Sequence, residues 1–297
     1  ELDFIVCQDI FINETGEMAD VVLPAASFAE KDGTFTNSDR RVQRVRRAVD
    51  PPGLAHADWQ IICDLARRVE ARLGFETTAG WDYAHPSEVW EEIRRVTPAF
   101  WGITYERLER EGGVHWPCPA EDHPGTPYLF EDDFPRGRGK FWALEYGTES
   151  ELPDEDYPFI LSTGRVLYHW HGGTMTRRST LDVIWPEAAV EMHPADAERL
   201  GLETNDWVRV ESRRGHIILR ALVTGRSPEG TIFIPFHFAE AAANILTDNR
   251  IDPRAKIPDF KVCAVRVERT NAPEGREGVG VPLTERGAIA DRAQQVH

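Results

Sequence analysis

Cysteine is scarce: four in 297 residues, at positions 7, 63, 118 and 263. They form no C-x-x-C pair or other metal-ligand spacing, and none has a histidine beside it, so no chain-borne metal or catalytic ligand set is expected. Cys7 in F-I-V-C, Cys63 in I-I-C-D-L and Cys263 in V-C-A-V sit in apolar surroundings, where cysteine acts as a small hydrophobe; Cys118, between prolines, reads as a loop residue. Positive charge is also short. Lys and Arg number 34 against 50 Asp and Glu, for a formal net charge of -16 and a pI near 5.1, which excludes nucleic acid or an anionic membrane surface as the main partner. No apolar run reaches the roughly 18 residues of a membrane-spanning helix, and no basic-then-apolar leader is visible, so a cytoplasmic location is expected. The first residue is Glu1 and Leu2–Val6 already reads as a core strand, so the chain is expected to be part of something longer.

Apolar residues make up 41% of the chain, ample for one large core or two moderate ones. The run Leu2–Cys7 has the pattern of a parallel strand covered on both faces and ends in Gln8-Asp9, where the ends of strands in open α/β sheets meet ligands. A short helix over 13–18 and a second strand over 19–24 complete a compact Rossmann-like unit. Glu30-Lys31-Asp32-Gly33 carries a turn signal, and the arginine run from Arg40 to Arg47 reads as a solvated edge strand. From Trp59, apolar residues at 61, 62, 65, 66 and 69 predict an amphipathic helix, with Asp58 as its N-cap and Gly74 as its stop. Further helices are expected over 86–95, with Ser87 as cap, and over 100–111. From 112 to 156 the composition shifts to Pro, Gly and acidic residues, the pattern of a connection between domains. Strands are then predicted at 159–162, 189–192, 207–211, 216–224, 231–235 and 262–267, with one helix over 193–202 and a hairpin turn at 212–215. Six strands with one short helix suggest a closed barrel.

Thr163 to Arg178, T-G-R-V-L-Y-H-W-H-G-G-T-M-T-R-R, follows the first of these strands and has neither a helical nor a strand period. Gly164, Gly172 and Gly173 allow close backbone approach or positive φ, and Arg165, Arg177 and Arg178 supply cationic forks suited to phosphate. The residues alone allow two readings: a loop holding a flat, phosphate-bearing cofactor, or a surface loop whose histidines and arginines are merely solvated.

The motifs Thr163-Gly164-Arg165, His169-Trp170-His171 and Met175-Thr176-Arg177-Arg178, together with E-K-D-G-T-x-x-N, the D-W helix and F-H-F-A-E-A-A-A-N, resemble those of molybdopterin oxidoreductases. Within that family the formate dehydrogenase catalytic subunit is the nearest resemblance, followed by the nitrate reductases, over about Leu2 to Glu268. The resemblance implies a partial α/β Rossmann-like cofactor domain (1–111), an irregular linker (112–156), a six-stranded double-psi β-barrel that binds the molybdopterin dinucleotide (157–270) and a flexible tail (271–297). It implies that Gln8, Asp9, Lys31 and Asp58 contact a guanine dinucleotide, a carboxylate being able to accept paired guanine N–H groups. The remaining implied cofactor contacts are Thr163, Gly164, Arg165, Val166, Leu167, Tyr168, His169, Trp170, His171, Gly172, Met175, Thr176, Phe236, Asn244 and Lys261. From the residues alone, Asp58 could be only a cap, Phe236 plain core and Asn244 a helix cap.

The cofactor so implied is bis-molybdopterin guanine dinucleotide with Mo or W. A 4Fe-4S cluster and the Cys or selenocysteine metal ligand are expected only in a missing N-terminal part of the same subunit. The whole enzyme would oxidise formate to CO2 by two electrons, pass them to electron-transfer subunits and have no membrane span, while this chain alone would be inactive. A nitrate reductase of the same family and a stand-alone, non-catalytic cofactor-binding or assembly domain are the alternatives.

Overall fold

The computed structural model describes residues 2–75, 80–131, 133–143, 145 and 151–275; the expected tail lies outside them from residue 276 onward. The chain divides into two compact units, Glu1–Ala143 and Leu144–His297.

In the first unit the apolar run from Leu2 becomes a strand only at β1 (Val6–Asp9). A short helix, α1 (Glu14–Met18), leads to β2 (Val21–Pro24), which pairs with β1 in parallel from Val6↔Val21 to Asp9↔Pro24. Asn13 caps α1 by accepting the Gly16 N–H at 2.9 Å. The two-faced burial expected of β1 is not found: Phe4 is 61% and Val6 49% exposed, because a two-stranded sheet has too few neighbours to cover both sides.

β3 (Gly33–Thr36), β4 (Arg41–Val45) and, after the helices, β5 (Val114–His115) form an antiparallel sheet in the order β3-β4-β5. β4 is therefore central, not the solvated edge its arginines suggested. Those arginines have partners: Arg40 donates to the carbonyls of Thr126 and Pro127 at 2.9 and 2.8 Å, and Arg44 lies over the Tyr105 ring while pairing with Glu109 at 2.6 Å. β5 lies within the stretch expected to be a connection.

Helix α2 (Asp58–Leu73) ends at Gly74 in the left-handed conformation, as expected, but its N-cap is Ala57 and Asp58 is the first helical residue. Its apolar face is largely uncovered, with Cys63 the only buried residue of the helix. α3 (Pro86–Val96) is capped by His85, whose Nδ1 accepts the Ser87 N–H, so the side chain two residues earlier than expected does the work. The single helix expected over 100–111 resolves into a turn of 3-10 helix at Pro98–Phe100 and α4 (Tyr105–Glu111), capped by Thr104. α3, α4, β4 and β5 enclose a core of Val42, Trp90, Ile103, Tyr105, Leu108, Val114 and Cys118. Cys118, read as a loop residue, is fully buried, with Arg107 Nη1 3.2 Å from its sulfur.

The second unit carries β6 (Phe159–Gly164), the short helix α5 (Leu181–Ile184), β7 (Ala189–Met192), α6 (Pro194–Leu200), β8 (Trp207–Ser212), β9 (Gly215–Val223), β10 (Thr231–Pro235) and β11 (Cys263–Arg269). The strands close in the order β10-β6-β11-β8-β9-β7. Period-2 sequence drives the closure: in β8, Val208 and Val210 point inward while Trp207, Arg209 and Glu211 point out, and β10 alternates likewise. The interior holds Leu161, Val190, Met192, Val208, Val210, Leu219, Ile232, Ile234 and Val265. Closure leaves no sheet edge to protect. Two pairs, β6 with β10 and β7 with β9, are parallel, so strand ends of the same polarity emerge together.

Candidate functional site

Each unit gathers predicted residues at the carboxyl ends of parallel strands. In the first unit, Gln8 stands near the end of β1, Lys31 follows the 3-10 turn Phe28–Glu30, and Asp58 opens α2. All three meet: Gln8 Nε2 donates to Asp58 Oδ1 at 2.8 Å, and the Lys31 ammonium pairs with Asp58 Oδ2. Burial pushes the Asp58 carboxyl up, but the hydrogen bonds from Lys31 and Gln8 and the lysine charge outweigh it and hold the group below the ordinary 3.8. Asp58 is thus a fixed anion, and it lines a cavity of about 220 Å³ with Lys31, Phe35, Trp59, Trp90 and Tyr105. Asp32 lines the same cavity, and its aromatic walls beside the oriented Asp58 carboxylate suit a flat base that presents N–H donors.

Asp9 does not join them. Its Oδ1 accepts the N–H groups of Ile10 at 2.7 Å and Phe11 at 3.3 Å, and its Oδ2 accepts Asn13 Nδ2 at 2.9 Å. The carboxylate shapes the turn after β1. Asp58, not being the N-cap, is left free for Lys31, Gln8 and a ligand.

In the second unit, β6 and β10 run parallel with Gly164 opposite Pro235. The chain leaving each strand, the 3-10 turn Ala243–Ile245 and the segment before β11 surround a cavity of about 580 Å³ lined by Thr163, Gly164, Arg165, Phe236, Asn244, Phe260 and Lys261. Six of these seven were picked from sequence; Phe260 was not. Its carbonyl accepts both the Thr163 N–H at 3.2 Å and the Thr163 hydroxyl at 2.8 Å, and Lys261 Nζ donates back to the Thr163 carbonyl. Arg165 is exposed, within 5.9 Å of the Phe236 ring, and no carboxylate among the described residues pairs with it. Asn244 lies inside its 3-10 turn, whose N-cap is Ala242, so the capping alternative falls and its exposed amide faces outward.

The loop after β6 divides sharply between residues that hold it and residues it presents. His169 is buried, with Nε2 donating to the Trp185 carbonyl at 2.6 Å and Nδ1 3.2 Å from the Thr176 hydroxyl. A neutral ring that donates through Nε2 must accept at Nδ1, so the Thr176 hydroxyl donates here while its oxygen accepts the Trp170 N–H at 3.2 Å. Val166 donates its N–H to His237 Nε2 at 3.0 Å, and Tyr168 stacks on Trp185. Arg177 forks onto Glu240 at 2.8 and 2.9 Å, reaches Asp182 at 3.2 Å and lies 4.7 Å over the Phe238 ring. It is therefore committed to the fold and unavailable to phosphate. Leu167, Trp170, His171, Gly172 and Met175 are exposed.

The glycines serve different ends. Gly173 has φ +75° and a Cβ there would meet Arg177 Cγ at 2.8 Å, whereas a Cβ on Gly164 would strike the Phe233 ring at 2.6 Å. Gly172 faces open space. Sequence reasoning missed His237, Glu240, Asp182 and Trp185 as the loop's anchors. The only available signal was that His237 and Glu240 share the F-H-F-A-E stretch with Phe236.

A phosphate-bearing pterin cofactor fits these donors: a guanidinium that pairs with no carboxylate among the described residues, an ammonium and an exposed amide line one cavity. Among the described residues, no group of three His, Cys, Asp or Glu side chains is placed to hold a metal ion.

Comparison with known proteins agrees. Residues 159–264 match the molydopterin dinucleotide binding domain and residues 1–68 match molybdopterin oxidoreductase. The F420-dependent formate dehydrogenase subunit alpha of Methanocaldococcus jannaschii is 51% identical over 271 residues, covering 90% of this chain and 39% of the relative. The assimilatory nitrate reductase catalytic subunit of Bacillus subtilis is 42% identical over 273 residues, covering 90% and 38%. Acetylene hydratase from Pelobacter acetylenicus superimposes with a TM-score of 0.68 at 21% identity, over 90% of this chain and 40% of that structure, a likeness of fold. The chain spans about two fifths of the length of the curated relatives it matches. With matches in both units and about half of all positions shared with formate dehydrogenase alpha subunits, the chain belongs to the molybdopterin oxidoreductases and its closed six-stranded barrel is their dinucleotide-binding domain.

Proposed function

We propose that this chain supplies two binding surfaces for bis-molybdopterin guanine dinucleotide in a formate-oxidising enzyme. The observation that carries the reading is Arg165, a cation without a carboxylate partner among the described residues, on a cavity it shares with Lys261 and Asn244. In the first unit, Asp58 accepts guanine N–H groups with Gln8 and Lys31 around it. In the second, Arg165 and Lys261 bind phosphate, Thr163 and Gly164 shape the cavity floor, Asn244 bonds a pterin edge and Phe236 walls it. Leu167, Trp170, His171, Gly172 and Met175 form the presented rim, while Val166, Tyr168, His169 and Thr176 hold the rim in place. Asp9 acts through the turn it caps.

When bound, the cofactor supplies a Mo or W centre that accepts two electrons from formate. The metal's protein ligand, a 4Fe-4S cluster and the electron-transfer partners are assigned to the remainder of a longer subunit and its complex, in the cytoplasm. Among the described residues no helix is long and apolar enough to cross a membrane. The formate assignment draws on the relative at 51% identity; the nitrate reductase at 42% supports the second reading.

The test is expression of residues 1–297 in a host that makes the molybdenum cofactor, followed by metal and pterin analysis and assay with an artificial electron acceptor. Weak retention of the dinucleotide and no turnover are expected. Stoichiometric metal with formate-dependent dye reduction would overturn the assignment of the catalytic ligand to another part of the protein. In the longer subunit, formate turnover against nitrate turnover separates the two substrates, and bound cofactor without either turnover would support a carrier or assembly role.

A further inference from the structure

We infer that the His237 imidazole is the clasp that positions the cofactor loop, holding it closed when neutral and releasing it when protonated. The inference rests on the assignment of that loop to the cofactor. Both ends of the segment Val166–His171 bond to this one ring: Val166 donates its N–H to Nε2 at 3.0 Å, and Nδ1 donates to the His171 carbonyl. The residue is 2% exposed and stands two positions after the end of β10, so it ties the loop to the barrel wall. Between the two bonds the chain carries Leu167, Tyr168, His169 and Trp170, and His171 itself has φ +46°, a conformation uncommon for non-glycine residues. Arg165, adjoining the first bond, and Gly172, adjoining the second, are the cation and the open backbone offered to the ligand. His237 touches neither cavity, so it is a positioning residue.

One protonation state permits both bonds. Nδ1 must carry the proton it donates, and Nε2 must keep the lone pair that accepts Val166 N–H. A second proton would sit on Nε2 against that N–H and remove its acceptor. The surroundings oppose it: burial first, then the nearby His169, Arg165 and Arg177, hold His237 below the ordinary imidazole value of 6.5, against the pull of the His171 carbonyl. The ring neighbours are His169 at 5.7 Å, Phe236 at 5.0 Å and Phe238 at 6.1 Å, and the acids of this region, Glu240 and Asp182, are taken by Arg177. A group whose value is lowered in the closed state favours closure while it is neutral. Closure is therefore complete above about 6.5 and is lost progressively as pH falls below it.

The experiment measures hydrogen exchange of the backbone amides in the 297-residue chain, corrected for intrinsic pH dependence, for wild type, His237→Phe and His237→Gln. Phenylalanine keeps the ring volume and removes both bonds; glutamine keeps one acceptor and one donor and does not titrate. The Val166 amide in His237→Phe should exchange about tenfold faster or more, with β6 and β10 amides unchanged, and glutamine should restore most of the protection. Below pH 6.5 protection at Val166 should fall in wild type and stay flat in His237→Gln. Unchanged Val166 protection in a folded His237→Phe, or the same pH profile in wild type and His237→Gln, would overturn the clasp. If His237→Phe does not fold, the comparison of the wild-type and Gln profiles decides. Titration with inorganic pyrophosphate at pH 7.5 gives a separate readout. Loop amides that respond to His237 substitution but never to pyrophosphate would retain the clasp and count against the cofactor assignment instead.

Discussion

The two units solve the burial problem differently. The barrel closes on itself: its six strands have no free edge and its interior residues are almost wholly buried. The α/β unit leaves its strongest apolar patterns uncovered, with Phe4, Val6, Ile62, Leu65 and Val69 all exposed and only Cys63 buried on α2. A period-2 pattern in a closed barrel creates its own partner, whereas a period-3.6 face on a single helix needs one supplied. The same hydrophobic signal thus carries stability in one unit and an open face in the other.

The sharpest way to break this comparison is truncation in both places. Leu219→Ala in the barrel core should cost about 2–5 kcal/mol, from lost transfer energy plus a cavity that strands on both sides cannot collapse into. Leu65→Ala on α2 should change stability by no more than about 0.5 kcal/mol. Denaturant unfolding followed by tryptophan fluorescence measures both, and equal costs would mean that the α2 face is covered in solution.

A smaller effect should come from Glu151, which ties the segment before the barrel to the β8–β9 turn. It accepts from Arg213 and Arg214, each at 2.7 Å, and from the Ala264 N–H at 3.2 Å. Burial pushes its carboxyl up, but these bonds outweigh it and hold the group below the ordinary 4.5. The unfolded chain then binds more protons just below pH 4.5, so the stabilisation is complete above that value and is lost as pH falls through the lower, folded one. Glu151→Gln should cost about 1–3 kcal/mol at pH 7 and much less near pH 3, read from melting curves at the two pH values.

Smallest in stability, but not in binding, should be the pair Asp58→Asn and Asp9→Asn. In the longer subunit, Asp58→Asn should lower dinucleotide retention by about tenfold, since an amide presents donors where the carboxylate offered two acceptors. Asp9→Asn retains an oxygen for its turn and should lose little. Pterin content per chain measures both; equal losses would return Asp9 to direct contact with the ligand.

Much of the second unit was legible. Residues 189–192 and 231–235 were assigned to strands with the boundaries now seen: the second alternates along the barrel wall, and the first is a short run buried throughout and flanked by helix signals. The loop from Thr163 stood out by residue type, whereas Phe236, Asn244 and Lys261 were implied only by the family resemblance, and the cavity gathers Thr163, Gly164, Arg165, Phe236, Asn244 and Lys261. The wiring inside the loop was not legible. A histidine or arginine reads the same whether it faces a ligand or a carbonyl, and the partners of Val166 and Arg177, His237 and Glu240, lie far along the chain.

Apolar periodicity by itself placed the six barrel strands and the long helix of the first unit, and six strands with one short helix pointed to a closed barrel. Tertiary structure alone decided that β4 is central, that Asp58 meets Lys31 and Gln8 while Asp9 turns away, and that Arg165 pairs with no carboxylate among the described residues while Arg177 is spent on Glu240 and Asp182. The reason is physical: secondary structure follows from local propensity and period, which neighbouring residues carry, whereas the availability of a charged or hydrogen-bonding group depends on which distant group folding brings within about 3 Å of it.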